Sequence, residues 1–390
     1  MIKLIKSTFF EEKKTKERLI DFIRDAKILS MGKYCKKFEN EFSRYQGRKY
    51  SVFFNSGSSA NLALIQSLLN LNKINKKDKI GFSALTWATN AMPLIQLGLE
   101  TVPIDISLRT LNVTSDNLRD VLEKTKLNAL FLTNLLGFSG DINIIKKICE
   151  ERNILLLEDN CESLGSEVNG TKLGNFGLAS TFSFFVGHHM STIEGGMVCT
   201  DDKNLYNMLL MVRAHGWDRN LDLETQKKLR NEYKVNDFYS NYTFYYLGYN
   251  FRPTELNGFL GLEQLQYLNK IIHIREKNFQ LFNKEAKKND DFYSFDLSHM
   301  NFISNFAYPI ICKNEELFRK YTKKFEDNNI ELRPIVGGAV TQQPFYNNLE
   351  KTSNKCEFAE RVHKLGFYIP NNPELTEVEL NLIKGLLKII

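Results

Sequence analysis

The sequence predicts an α/β fold with a mostly parallel central sheet, and three observations carry that reading. Short β-rich runs alternate with helical patterns: Tyr50–Asn55, Asp78–Phe82, Val102–Ile106, Ala129–Asn134, Ile154–Glu158 and Ala179–Phe184. Strands spaced by helices pair in parallel through crossovers. Several runs, ILLLE at 154–158 above all, are apolar throughout, as a strand covered on both faces requires. Finally, YSVFFN at 50–55 stops at the small-residue turn SGSSAN and gives way to LALIQSLLN, a strand, a turn and a helix start.

In chain order, Lys13–Tyr45 reads as two helices broken near Met31-Gly32. The turn after residue 55 is either a plain Ser/Gly cap or an anion site, because first-turn amides lack intrahelical partners. SALTWATN (83–90) leads into a helix through Leu97, with Trp87 at its head; an isolated Trp is more often core than ligand partner. Asp159 stands at the carboxyl end of the 154–158 strand, where ligand groups gather in open α/β sheets and where plain helix caps also occur. Glu194-Gly195-Gly196 turns the chain into strand Met197–Thr200, and helix Asp202–His215 ends at Gly216. The charged run Leu223–Asp237 reads as a solvated excursion. Beyond Pro253, a long helical pattern runs from Glu255 to about Lys287, then strand Phe306–Cys312, helix Glu315–Asn328 and strand Glu331–Pro334. Arg333 in the last of these suits an anionic substrate group or a surface ion pair equally.

Composition excludes several classes. The 390 residues suit one large domain or two, and 43% hydrophobic with 25% charged residues is ordinary for a soluble enzyme. The net charge of +6 comes from lysines mixed with acids, so no nucleic-acid footprint is expected. MIKLIKSTFFEEKKTK lacks the apolar core of a signal peptide. Leu173–Ile193 is uncharged but too rich in Gly, Ser, Asn and His to span a membrane. The six cysteines have neither metal nor iron–sulfur spacing and are too dispersed for a disulfide framework. A reduced, cytoplasmic protein without a metal site is expected.

Four motifs, SGSSAN, LEDNCESLG (157–165), FSFFVGHHMSTIEGG (182–196) and LGYNFRP (247–253), resemble in order those of the DegT/DnrJ/EryC1/StrS sugar aminotransferases. That resemblance implies the aspartate aminotransferase-like fold type I. A large cofactor-binding domain would occupy 1–254; a linker helix and small α/β domain would occupy 255–390. It implies bound pyridoxal or pyridoxamine phosphate. Gly57, Ser58 and Ser183 would hold the phosphate, and Trp87 would stack on the ring. Asp159 would pair with the pyridine nitrogen, keeping the ring an electron sink. Glu162, where relatives carry Gln, would sit beside the ring hydroxyl. Asn250 and Arg252 would reach across a homodimer interface. His215, Arg219, Arg252 and Arg333 are the candidate substrate contacts, with structural roles open for His215 and Arg252.

One departure matters most. Six residues before Glu194 the family keeps the lysine that holds the cofactor covalently; here the residue is His188. An imidazole cannot form that bond but can move protons near neutral pH. His189 is its rival, set aside by the alignment. The change resembles the family's nucleotide-sugar 3-dehydratases. It implies non-covalent pyridoxamine phosphate and loss of the C3 hydroxyl from a GDP-linked 4-keto-6-deoxy sugar. L-glutamate would restore the amine, and ammonia and 2-oxoglutarate would leave, in 3,6-dideoxysugar formation for surface polysaccharide. The alternatives are an aminotransferase, which needs a lysine from elsewhere because none lies between Lys172 and Lys203, or an inactive cofactor-binding regulator.

Overall fold

The computed structural model describes residues 1–349 and 355–389. Its main sheet has seven strands: β1 (Tyr50–Phe54), β2 (Lys79–Ser83), β3 (Glu100–Ile104), β4 (Ala129–Thr133), β5 (Leu155–Asp159), β8 (Ala179–Ser183) and β9 (Gly196–Thr200), in the order β1-β9-β8-β5-β4-β2-β3. The pairs from β8 to β3 are parallel, while β9 runs antiparallel to both neighbours. In β1, Val52 and Phe54 pack beneath one layer of helices, and Phe53 packs on the opposite face with Phe38, Phe42, Phe182 and Phe184. This two-residue alternation places apolar side chains on both faces, so the sheet is buried on both.

Helices α1 (Glu12–Asp25) and α2 (Lys33–Gln46) flank the expected break at Met31-Gly32. The Glu255 carboxylate accepts the amides of Gly32, Tyr34 and Cys35 at 2.9–3.0 Å, an acid cap on the positive end of α2. Helix α3 (Gly57–Asn70) follows β1 directly.

Two expected helices differ. The one leading to Leu97 is a 3₁₀ turn, Ala88–Asn90, followed by a five-residue helix, Met92–Gln96. Pro93 has no amide to give the preceding turn, and the Asn90 side chain is committed to Asp159. The long pattern after residue 254 is two helices, Glu255–Leu265 and Leu268–Ala286. Between them the Gln266 side-chain amide donates to Glu263 O at 2.7 Å, taking a helical carbonyl. Within the charged run Leu223–Asp237, read as a solvated excursion, Leu223–Glu232 forms a helix with no buried residue.

Two smaller sheets complete the chain. In one, β10 (Met300–Phe302) joins β6 (Glu167–Val168) and β7 (Thr171–Lys172); in the other, β13 (Gly366–Ile369) lies between β11 (Tyr308–Ile311) and β12 (Arg333–Pro334). The N-terminus reaches this region: Ile2 bridges Ile330, and Leu4 N–H donates to Glu331 Oε2 at 2.8 Å. Among the described residues no helix is long and apolar enough to cross a membrane, and no His, Cys, Asp and Glu cluster could hold a metal.

A buried ion pair ties α2, β1 and helix Lys203–Val212 together. Arg213 Nη1 lies 2.6 Å from Glu39 Oε1 and donates to Phe53 O at 2.8 Å, while Glu39 Oε1 accepts Phe53 N–H at 3.0 Å. Arg213→Met leaves Glu39 with the half-exposed Lys36, at 3.4 Å, as its one cation among the described residues. Urea unfolding should show a loss of about 3 kcal/mol, the low end for a broken buried pair.

Candidate active site

A cavity of about 460 Å³ opens where the parallel strands end, the place where open α/β sheets bind ligands. The turn after β1 forms one wall. Ser56 caps α3 by accepting Ser59 N–H at 3.0 Å, which leaves the first-turn amides of Gly57 and Ser58 without intrahelical partners. A Cβ on Gly57 would sit 2.7 Å from Ser183 Cβ, so glycine lets α3 begin against the end of β8. Gly196 lies opposite both Phe54 and Ser183 in its two ladders, and a Cβ there would come within 2.2 Å of Ser56 O. The second glycine of the Glu-Gly-Gly motif is therefore what seats the turn on the sheet.

Asp159, 4% exposed, ends β5 in the cavity wall. Its Oδ2 accepts Asn61 Nδ2 at 3.0 Å and Asn90 Nδ2 at 2.8 Å, and Oδ1 accepts Cys161 N–H at 2.9 Å. All three donors are neutral. Among the described residues no cation pairs with it, so its charge is available to a cationic ring nitrogen. Glu162 accepts Leu136 N–H at 2.9 Å. Leu136 is held at φ +57°, a strained conformation for a non-glycine residue beside a site. Burial, with Asp159 adding to it, pushes the Glu162 carboxyl up to about 8. It is then mostly protonated at pH 7 and can donate, as an amide would in its place. Trp87 lines the cavity with 55% of its surface exposed, so its face is open rather than packed in the core.

The histidine loop is closed by Thr192 N–H donating to Phe184 O and Phe184 N–H donating to Gly195 O, both 2.9 Å. His188 lines the cavity; its Nδ1 is enclosed without a partner, leaving Nε2 as the open nitrogen. Burial pushes its pKa down to about 4 against the opposing charge of Asp159. The ring is thus neutral near pH 7 and ready to accept a proton. His189 points elsewhere. It is 3% exposed, does not line this cavity, and donates from Nε2 to Ser304 O at 2.9 Å. Geometry separates the two histidines that spacing alone left adjacent.

Arg333 also reaches the cavity, beside its cross-strand neighbour Tyr368. Its Nε and Nη2 donate to Glu331 Oε1 at 3.1 and 2.8 Å, the ion pair that was one of the two readings made for it. His215, Arg219, Asn250 and Arg252 do not line the cavity of their own chain. They gather around Trp217. The Arg219 guanidinium lies 3.9 Å above the indole, that of Arg252 5.6 Å, and Arg252 Nε donates to Asn250 Oδ1 at 2.9 Å. Sequence reasoning missed Asn61, Asn90, Phe306 and Tyr368. Asn61 was inside SGSSAN, but its partner lies 98 positions away; Phe306 sits in the bend before β11 and Tyr368 in β13, and nothing near either in sequence points to the cavity.

These features fit a phosphorylated pyridine carrying an amine: free amides at a helix start with Ser183, an uncompensated carboxylate, an open indole and a neutral base. The profile of the DegT/DnrJ/EryC1/StrS aminotransferase family matches residues 10–387. The chain is 37% identical to a GDP-4-keto-6-deoxy-D-mannose 3-dehydratase from Yersinia pseudotuberculosis, over 95% of this chain and 94% of that one. It is 35% identical to the protein of the same name from Escherichia coli O55:H7, over 95% and 96%. A crystal structure of GDP-4-keto-6-deoxymannose-3-dehydratase with a trapped PLP-glutamate geminal diamine superposes along the full length of both chains, with TM-score 0.89 and 32% identity.

Gly196→Ala should displace the Ser56–Ser58 turn and weaken pyridoxamine phosphate binding about tenfold or more in an absorbance titration. Gly385→Ala, with nothing within 4 Å of the new Cβ, should leave that affinity unchanged.

Proposed function

The chain belongs to the DegT/DnrJ/EryC1/StrS aminotransferase family, and from that membership we propose that it is a nucleotide-sugar 3-dehydratase. It would remove the C3 hydroxyl of a GDP-linked 4-keto-6-deoxy sugar, with L-glutamate as co-substrate, in a route to 3,6-dideoxysugars of surface polysaccharide. One observation carries the reading. His188 stands where the family's cofactor lysine would be, and among the described residues no lysine lines the cavity. That disfavours an aminotransferase using a lysine from elsewhere. An inactive regulator is disfavoured because Gly57, Ser58, Trp87, Asp159, Glu162 and Ser183 all line one cavity with His188.

Bound pyridoxamine phosphate would supply an amine for the sugar's ketone and an electron sink for breaking the C3–O bond. The residues present suit that task. The amides of Gly57 and Ser58, with Ser183, would hold the phosphate, and Asp159 would pair with the ring nitrogen. Trp87 would cover the ring face, and protonated Glu162 would donate to the ring hydroxyl. His188 takes up a proton at Nε2 and delivers it to the oxygen leaving C3. Arg333 offers a cation to a carboxylate such as that of glutamate. General acid–base help of this kind is worth roughly 10²–10⁴-fold.

The Trp217 cluster supports a homodimer that brings Asn250, Arg252, Arg219 and His215 to the partner's cavity. Around it Phe238, Tyr242 and Leu247 are 83%, 73% and 75% exposed, a face suited to burial against a second copy. Among the described residues no cysteine is in a disulfide, which suits the cytoplasm.

Purified protein given pyridoxamine phosphate, glutamate and a GDP-4-keto-6-deoxy sugar should release ammonia and lose the C3 oxygen, read by mass spectrometry. Accumulation of a stable 4-amino sugar would instead assign an aminotransferase. His188→Gln should lower turnover by roughly 10²–10⁴-fold while leaving cofactor affinity nearly unchanged. His188→Lys should trap the aldehyde cofactor covalently, seen as a shifted absorbance band, and stop dehydration.

A further inference from the structure

Arg275 lies in the middle of helix Leu268–Ala286, 4% exposed, and among the described residues it has no carboxylate within ion-pairing distance. Its Nη1 donates to Phe306 O at 2.7 Å and Asn371 O at 2.6 Å, and its Nε is enclosed without a partner. An uncompensated buried guanidinium is costly to keep. Its surroundings suggest why it stays. It borders a cavity of about 30 Å³ behind the histidine loop, together with His188 and His189. Phe306, whose carbonyl it holds, sets its ring 5.5 Å from that of His188 and 6.4 Å from that of His189.

We propose that Arg275 is a positioning residue for the proton transfer: its hydrogen bonds seat Phe306 against the His188 ring, and its uncompensated charge behind the loop disfavours the protonated imidazole. This rests on His188 being the base. The other charged or titratable groups around His188 do not supply the same effect. Asp159 faces it from the sheet and pulls the other way. Cys161 and Glu162 come from the loop after β5, and Glu194 from its own loop. His189 is itself held neutral by burial and by Arg275. From the small sheet come Tyr368 and Arg333, the latter paired with Glu331; across the rear cavity stands Glu374. Arg275 is the one fixed cation of this set without a carboxylate. Burial is the main cause of the low His188 pKa of about 4; Asp159 and the Ser183 backbone oppose it, and Arg275 adds a smaller push in the same direction as burial. Once His188 has taken a proton, the same charge makes the imidazolium a stronger acid toward the departing oxygen.

The test compares wild type, Arg275→Lys, Arg275→Gln and, as a second neutral replacement, Arg275→Met. His188 is titrated by NMR in the cofactor-free full chain, and the pH–rate profile is recorded with pyridoxamine phosphate and the GDP-4-keto-6-deoxy sugar. Removing a nearby cation favours the protonated ring. A neutral replacement should therefore raise the His188 midpoint by about one pH unit, moving the acid limb of the rate profile upward. Arg275→Lys should keep both near wild type. A purely structural role would lower the rate at every pH without moving the limb, and that result overturns the proposal. So does a wild-type His188 titrating at or above the ordinary imidazole value of about 6.5, which needs no variant. If the NMR midpoint moves but no dehydration occurs, the hold on His188 stands and the reaction assignment fails.

Discussion

The site depends on one constraint, the insertion of β9 against the direction of its neighbours. That strand places Gly196 opposite Phe54 on one side and Ser183 on the other. The turn that starts α3 and the strand that launches the histidine loop thereby end at the same level. Any side chain at 196 would strike Ser56 O. Three segments separated in sequence become one wall because a single position carries no Cβ.

Electrostatics then divides the labour within that wall. Asp159 is buried among neutral donors, so it offers a charge that its own chain does not satisfy. Glu162, close by and also enclosed, is pushed up to about 8 and keeps its proton near pH 7, so it can donate a hydrogen bond. His188 is enclosed strongly enough to stay neutral despite Asp159. A lysine here could hold an aldehyde cofactor; a neutral imidazole can only exchange protons, which fits elimination better than amine transfer.

The far side of the histidine loop is held as firmly as the near side. Residues at the N-terminus lie over it: Leu4, Ser7, Thr8, Phe9 and Phe10 border the same small cavity as His188 and His189. They are fixed in turn by Gln264, which accepts Phe10 N–H at 2.9 Å, and by Glu331, which accepts Leu4 N–H at 2.8 Å. Glu331 also holds Arg333. The outer strap, the small sheet and the cavity cation therefore share one carboxylate, so their positions are not independent.

The sequence by itself determined what depends on local periodicity and on short contiguous motifs. The strand and helix alternation, the break at Gly32, the Ser56–Asn61 turn, Asp159 at a strand end and the exchange of lysine for His188 could all be read there, because each is written in neighbouring residues. Only the tertiary structure decided what depends on distant partners. It turned His188 toward the cavity and His189 toward Ser304, split two expected helices, one at Pro93 and Asn90 and one where Gln266 took a backbone carbonyl, brought Phe306 and Tyr368 to the site, and put behind it an Arg275 that has no carboxylate partner among the described residues. Those outcomes follow from packing and from burial of charge, which no window along the chain contains.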